Sequence, residues 1–489
     1  MASLQHKREF QRAEEKRTFE RTRPPSGVSL HFERLVLVEL FLIEDIKDLE
    51  RKLRSMFTEV RGFSTLSDDL RAFSASAADL FSGRWQVLGD ITRKEPRPFA
   101  SRGIACMPEL PEEISRIEIT LTKVLPSAFA LSFDIHLTED ATRKLQMLLS
   151  RSYLPELRFG GILPTRRTFN SSSQLPSELV MQNEIREFFS GLRLRIEQQL
   201  RTKIRGVFLT PINSSAPKMP AIELLSVQGV APDSSLSEHL SANREWARVC
   251  GFTPWRTDHI FVDDSGTLFQ WPSWPELDEE AGLLPYRLLS IREADQKAEE
   301  NRRRISSQEL IHSLTSLLSI FGLIETTRRK VESLRILVYK TLAGKSTFKW
   351  LQREIRLNDE MQLHRMILRR LQFEMKESKW ILQAEAHNLQ AFEAVQAEQK
   401  ENLGSFILSG IEGRLRRVCG HSEVVSREIS DYLGRRNLDL TYRLQKRLFR
   451  WSAVLGVFTV LTGLIAAYAV VKGWPSVQHF VAWWHKEIY

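Results

Sequence analysis

The residues of this chain that could do chemistry fall into four small groups, and spacing decides what each can be. Gly344-Lys345-Ser346-Thr347 matches the end of a phosphate-binding loop, where glycine amides cradle phosphate and the lysine reaches it. That motif needs a glycine five residues earlier, where Tyr339 stands, and a strand before it, where the pattern reads as helix. A helix-ending Gly344 and a capping Ser346 account for the same residues. Cys419-Gly420-His421 offers one thiol and one imidazole, with no second pair at zinc spacing, so a lone cysteine and a solvated histidine are expected. Asp258, His259, Asp263 and Asp264 crowd carboxylates and an imidazole around one turn, a set able to bind a divalent cation; Asp-Ser-Gly is also ordinary turn chemistry. Asp134 and His136 alternate with Phe133 and Ile135, which puts them on the solvated face of a strand. There is no His-Glu-x-x-His, no G-x-S-x-G and no dinucleotide glycine fingerprint. Catalytic, cofactor-binding and metal-binding residues are therefore assigned to none, and no cofactor is expected.

The elements that carry these groups form two contrasting regions. Residues 27–286 read as an α+β domain. It opens with a strand whose apolar positions include Leu30, Phe32, Leu35 and Leu37, then passes into a helix with Ile46, Leu49, Leu53 and Phe57 on one face. Ile117, Ile119 and Leu121, then Leu131, Phe133, Ile135 and Leu137, recur every second residue around Pro126-Ser127, the pattern of an antiparallel hairpin with one face buried. Thr138 caps the next helix, with Glu139 and Asp140 at its positive end. Residues 160–176 lack periodicity and read as a loop; a helix from Val180 to Ile204 follows, and HIFVDDSGTLFQW reads as a second hairpin.

From about Leu288 the chain becomes nearly continuous helix. Leu310, Leu317, Ile324, Val331 and Val338 repeat every seven residues beside Leu314, Phe321, Arg328, Arg335 and Leu342. A second helix carries Leu357, Met361, Leu368, Leu371, Met375, Leu382, Leu389 and Phe392, and a third starts after Gly404 or Gly420. Residues 287–451 are thus expected to form an all-α bundle or coiled-coil stalk, either within one chain or between subunits.

Ser452 to Val471 is an uncharged run of about 20 residues; at about 1.5 Å per residue it reaches the ~30 Å of a bilayer's hydrocarbon core. Arg435, Arg436, Arg443, Lys446, Arg447 and Arg450 precede it, positions suited to lipid headgroups. Cationic flanks stay cytoplasmic, so residues 452–471 read as a single-pass membrane helix with the N-terminal bulk in the cytoplasm. Trp451, Trp474, Trp483 and Trp484 bracket it, and residues 472–489 form a short interfacial tail. Ser452, Gly456, Thr459, Gly463 and Ala467 place small residues along one face, where two helix backbones can approach.

Composition agrees. The net charge of +9 arises from Ile291 to Arg450, where about 30 Lys and Arg oppose about 21 Asp and Glu, beside the anchor; this fits a lipid surface better than nucleic acid. Three scattered cysteines suit a reducing compartment. Residues 1–26 lack the apolar core of a signal peptide and read as a charged, flexible arm.

The order of mixed domain, helical stalk and C-terminal membrane helix, with Asn437, Leu461-Thr462, Leu464, Ile465 and Tyr468, resembles the CorA-type magnesium transporters. The resemblance covers about 90 residues and implies an ion-transport role. It departs from the family where Tyr468-Ala469-Val470-Val471 stands in place of Tyr-Gly-Met-Asn, and Pro475 to Tyr489 is too short and polar to be a second membrane helix, so no pore residue is carried over. The reading preferred from the residues is a non-enzymatic membrane-anchored protein, with an α+β domain that binds a partner or ligand and a stalk that drives homo-oligomerisation. The alternatives are a degenerate transporter or a membrane-bound enzyme.

Overall fold

The computed structural model describes residues 16–17, 23–57, 85–93, 103–150, 156–159, 172–175, 177–209, 219–230, 236–249, 260–264, 266–271, 286–292, 297–342, 348–394, 401–472 and 475–488. Most of the arm expected over residues 1–26 lies outside them, as do Asp258, His259 and the stretch Gly344 to Thr347.

Strand β1 (Ser29–Leu42) runs from Leu35 to Leu40 with Glu39 as its one polar residue, the composition of a strand covered on both faces. It leads through a 3-10 turn into α1 (Ile46–Met56), which buries Leu49 and Leu53. Strands β2 (Trp85–Thr92) and β3 (Gly103–Cys106) precede the hairpin of β4 (Ile114–Leu125) and β5 (Ala128–Leu137). Helix α2 (Glu139–Ser150) begins where Thr138 Oγ1 accepts the Ala141 N–H at 3.3 Å, so the expected cap is present. A two-stranded sheet of β6 (Glu156–Phe159) and β7 (Ser172–Leu175) gives the end of the expected 160–176 loop a regular structure. Helix α3 (Ser177–Lys203), strand β8 (Ala221–Gln228), short helices α4 (Leu236–Ala242) and α5 (Arg244–Val249), and strands β9 (Ile260–Val262), β10 (Leu268–Gln270) and β11 (Tyr286–Arg292) complete the N-terminal part.

The C-terminal part is a succession of helices: α6 (Lys297–Leu342), α7 (Phe348–Glu377), α8 (Lys379–His387), α9 (Leu403–Val471) and α10 (Pro475–Ile488), with a two-residue strand β12 (Glu393–Ala394) before α9. The main sheet has ten strands in the order β12-β9-β10-β11-β8-β1-β5-β4-β2-β3, antiparallel except where β11 meets β8 and β2 meets β3. A sheet-rich N-terminal region followed by a long helical region is the architecture read from the sequence.

Two compact units divide the chain: Met1–Lys330 with Met366–Cys419, and Val331–Arg365 with Gly420–Tyr489. In the first, the sheet lies between two helical layers. Phe189 of α3 meets Phe32 of β1 at 5.0 Å on one face. On the other, Phe321 of α6 and Phe406 of α9 close on Trp271 at 5.2 and 5.5 Å. This double cover corrects the expectation that the β4–β5 hairpin buries one face: Thr120, Thr122, Lys123 and Ser132 are buried along with Ile119, Leu121 and Phe133. It also changes the reading of the heptad pattern in α6. From Ser313 to Ile324 nearly every residue is buried, so this part of the helix is core rather than a seam.

The second unit has its own small core, in which Val331 and Leu334 of α6, Leu357 and Met361 of α7, and Val425 and Ile429 of α9 pack together. Gln362 donates to Ser426 at 2.9 Å, and His421 Nε2 lies 3.2 Å from Glu332, so His421 is engaged rather than simply solvated.

Candidate functional site

Asp134 and His136 do not lie on a solvated face. Their side chains are 16% and 26% exposed. They belong to a polar row that sheet register lays across three strands: Asp90 pairs with Glu118 and Glu118 with Asp134, while Arg116 pairs with His136. Arg34 Nη1 bonds Asp134 Oδ2 at 2.8 Å. His136 Nε2 stands 3.9 Å from the other Asp134 oxygen, and burial lowers its basicity against the pull of that carboxylate. His312 of α6 stacks on Trp85 near Asp134 and Arg34, and burial pushes its pKa down to about 4. One oxygen of Asp90, one of Asp134 and Nδ1 of His312 are buried without a hydrogen-bond partner. The row offers hydrogen-bonding groups and two neutral imidazoles; among the described residues no group of His, Cys, Asp and Glu is placed to hold a metal ion.

On the opposite face Glu39 is wholly buried. Its carboxylate accepts the N–H of Leu40 at 2.9 Å, of Phe208 at 2.7 Å and of Leu209 at 2.8 Å, pinning the segment after α3 to β1. Burial raises its pKa to about 8; the three N–H donors oppose that rise and Glu197 adds to it. Glu197 accepts the Met219 N–H, Arg193 donates to the Met219 carbonyl, and Glu223 pairs with Arg287 at 2.9 Å. Glu39, Glu197, Arg193 and Glu223 thus each hold a backbone group or an opposite charge in place. Of the expected cation-binding cluster, Asp263 accepts the Thr267 N–H at 2.7 Å and closes the β9–β10 turn.

The residues expected at a membrane lie in the second unit. Helix α9 begins at Leu403 and continues unbroken to Val471, so neither Gly404 nor Gly420 separates it from the apolar run. Among the described residues two helices are long and apolar enough to cross a bilayer, and burial separates them: the window in Gln308–Val338 is 83% buried, and that in Leu403–Val470 is 0% buried. Ser452, Gly456, Thr459, Gly463 and Ala467 share one exposed side, and an added Cβ at Gly456 or Gly463 would meet nothing within 4 Å. Thr459 and Thr462 donate to the Leu455 and Phe458 carbonyls at 2.8 and 2.7 Å, so each of these two hydroxyls is satisfied within the helix. Arg435, Arg443, Lys446, Arg447 and Arg450 are exposed, Arg443 pairing with Asp439 at 3.0 Å; the Arg436 side chain lies outside the described residues. Beyond the run, α10 exposes Phe480, Val481, Trp483 and Trp484, and Trp474 lies outside the described residues.

No protein-family model matches the chain, and no curated protein matches it in sequence. Sequence reasoning missed Arg34, Asp90, Glu118 and His312 as neighbours of Asp134, because strand pairing and a helix far along the chain bring them together. It also missed Glu39, whose single polar side chain within an apolar strand was the available signal.

Proposed function

We propose that the chain is a non-enzymatic, single-pass membrane protein, anchored by Ser452 to Val471, with its sheet domain on the cytoplasmic side to bind a partner or ligand. The observation that carries this reading is the contrast between the two apolar helices. In α6 the apolar surface is spent on the protein core, whereas around Val454, Leu455, Phe458, Leu461, Leu464 and Ile465 it meets no protein. A helix apolar on every side and covered by nothing needs a hydrocarbon solvent. The cations from Arg435 to Arg450 support a cytoplasmic start to the span, and interfacial Trp451 fits its near edge.

Carbonate washing and density flotation of membranes holding the full chain test the anchor. The wild type should float with lipid, and the double variant L461R/L464R should not, because each buried arginine costs about 2.5–3.5 kcal/mol at a helix centre. Release of the wild type by carbonate would refute the anchor. Protection of the sheet domain from protease on the cytoplasmic side would refute the orientation.

A further inference from the structure

The segment of α9 that leads into the span has an exposed apolar side of its own. Leu438, Tyr442 and Phe449 are 73%, 64% and 76% exposed, on a helix otherwise rich in cations. At about 100° per residue they share one face with Gln445, while Arg443, Arg447 and Arg450 fall on the other side. The spacing of that face alternates four and three from Leu438 through Tyr442, Gln445, Phe449, Ser452, Gly456 and Thr459 to Gly463. Such a repeat averages 3.5 residues and keeps one seam facing a partner in a left-handed supercoil. The small-residue side of the span is therefore the continuation of a seam of large residues in the aqueous segment.

Lipid cannot cover the upper part of this face. The helix has no break between Leu438 and Ser452, so Leu438 stands about 20 Å before the span begins, beyond the ~5–7 Å headgroup layer. A helix that enters the bilayer end-on cannot lie flat on its surface. A second copy can cover it, because a shared membrane orientation sets every copy parallel and at equal depth, which brings each seam residue opposite itself. Pairing Leu438, Tyr442 and Phe449 removes roughly 800 Å² from water over two copies, most of the ~1,000 Å² of a specific interface, and the small-residue face adds close backbone packing within the bilayer.

We propose that Leu438, Tyr442, Gln445, Phe449, Ser452, Gly456, Thr459 and Gly463 form a parallel self-association seam with a second copy of this chain, large side chains packing outside the bilayer and helix backbones inside it. This rests on the anchor reading above, and the experiment separates the two. In a background with the three native cysteines changed to serine, Gln445→Cys lies on the seam and Arg447→Cys on the far side. Full-length protein in carbonate-washed membranes is oxidised, and disulfide-linked species are sized on denaturing gels. The seam cysteine should give a dimer-sized band at least roughly tenfold stronger than the far-side cysteine, and adding L438E/Y442E should abolish it. Loss of the protein in the carbonate wash would sink the anchor. Retention with equal crosslinking at both positions, crosslinks only to other proteins, or an unchanged band in L438E/Y442E would each overturn the seam. The light-scattering mass of the cysteine-intact wild type in detergent provides a second check: a monomer there at micromolar concentration also overturns it.

Discussion

The imidazole of His312 lies flat on the indole of Trp85, ring centroids 4.4 Å apart and planes 16° from parallel. This contact joins a helix from the C-terminal half to a strand of the N-terminal sheet and brings His312 within electrostatic reach of Asp134 and Arg34. The imidazole is neutral because burial makes the charged form costly, an effect only partly offset by Asp134 and reinforced by Arg34.

A pH dependence follows. The folded protein takes up the His312 proton only near pH 4, whereas an unfolded histidine does so near 6.5. Below 6.5 the unfolded state binds more protons, so this contribution to stability is complete above pH 6.5 and is lost as pH falls towards 4. The variant H312F keeps the ring contact and removes the titration. Thermal melts of the full chain in detergent should therefore show a smaller loss between pH 6.5 and 4 for H312F than for wild type; parallel curves would contradict the assignment.

Glu39 acts in the opposite direction. Its pKa is raised to about 8 from an ordinary 4.5, so the folded state holds a proton that the unfolded state has released. Stability from this group is present below pH 4.5 and declines as pH rises through 8. In E39Q the amide oxygen still accepts the Leu40 and Phe208 N–H groups and no charge forms. The difference in melting temperature between E39Q and wild type should shift in favour of E39Q between pH 5 and 8.

Gly206 sits where the chain after α3 passes β1. A Cβ there would come 2.4 Å from the Leu40 carbonyl oxygen and 2.6 Å from Glu39 Oε1. The backbone must move to admit it, which breaks the contacts Glu39 makes. Gly206→Ala should cost about 2–4 kcal/mol in chemical denaturation, while Gly410→Ala, where the added carbon meets nothing, should cost little.

Glu325 of α6 is 3% exposed and pairs with Arg328 at 2.6 Å, Arg329 at 3.6 Å and Arg414 at 3.3 Å, the last also lying 4.6 Å over the Phe321 ring. Glu325→Gln removes a charge that faces the largely buried Arg414 side chain. A loss of about 3 kcal/mol is expected, and a variant as stable as wild type would show that Arg414 finds water instead.

Orientation should depend on cation count. Replacing Arg443, Lys446, Arg447 and Arg450 with glutamine leaves Arg435 and Arg436 against Lys472 and Lys486. Protease protection of the sheet domain should then report a mixture of two orientations in place of one.

How legible the protein was in its sequence depended on the distance between interacting residues. Thr138 and Asp263 were readable because each bonds a backbone N–H three or four residues away. The β4–β5 hairpin was readable from alternation around a tight turn. The uncharged run in α9 was readable because a stretch of about 20 residues without charge is a local property. By contrast Asp134 and His136 were placed in solvent, since nothing near them in sequence announces that α6, some 175 residues later, covers their face. The heptads of α6 pointed to a stalk because a seam and a helix buried on all sides share the same apolar positions; only the Ser and Thr residues between them, buried at Ser313, Thr315, Ser316 and Ser319, distinguish the two.

By itself the sequence determined what depends on near neighbours: element types, caps, turns, the apolar run and the side on which its cations lie. Tertiary structure alone decided which of two apolar helices is used by the protein's own core, and which carboxylates and imidazoles share a row. Burial is a sum over contacts from anywhere in the chain, so the same apolar side chains read alike in sequence until the fold shows what stands against them.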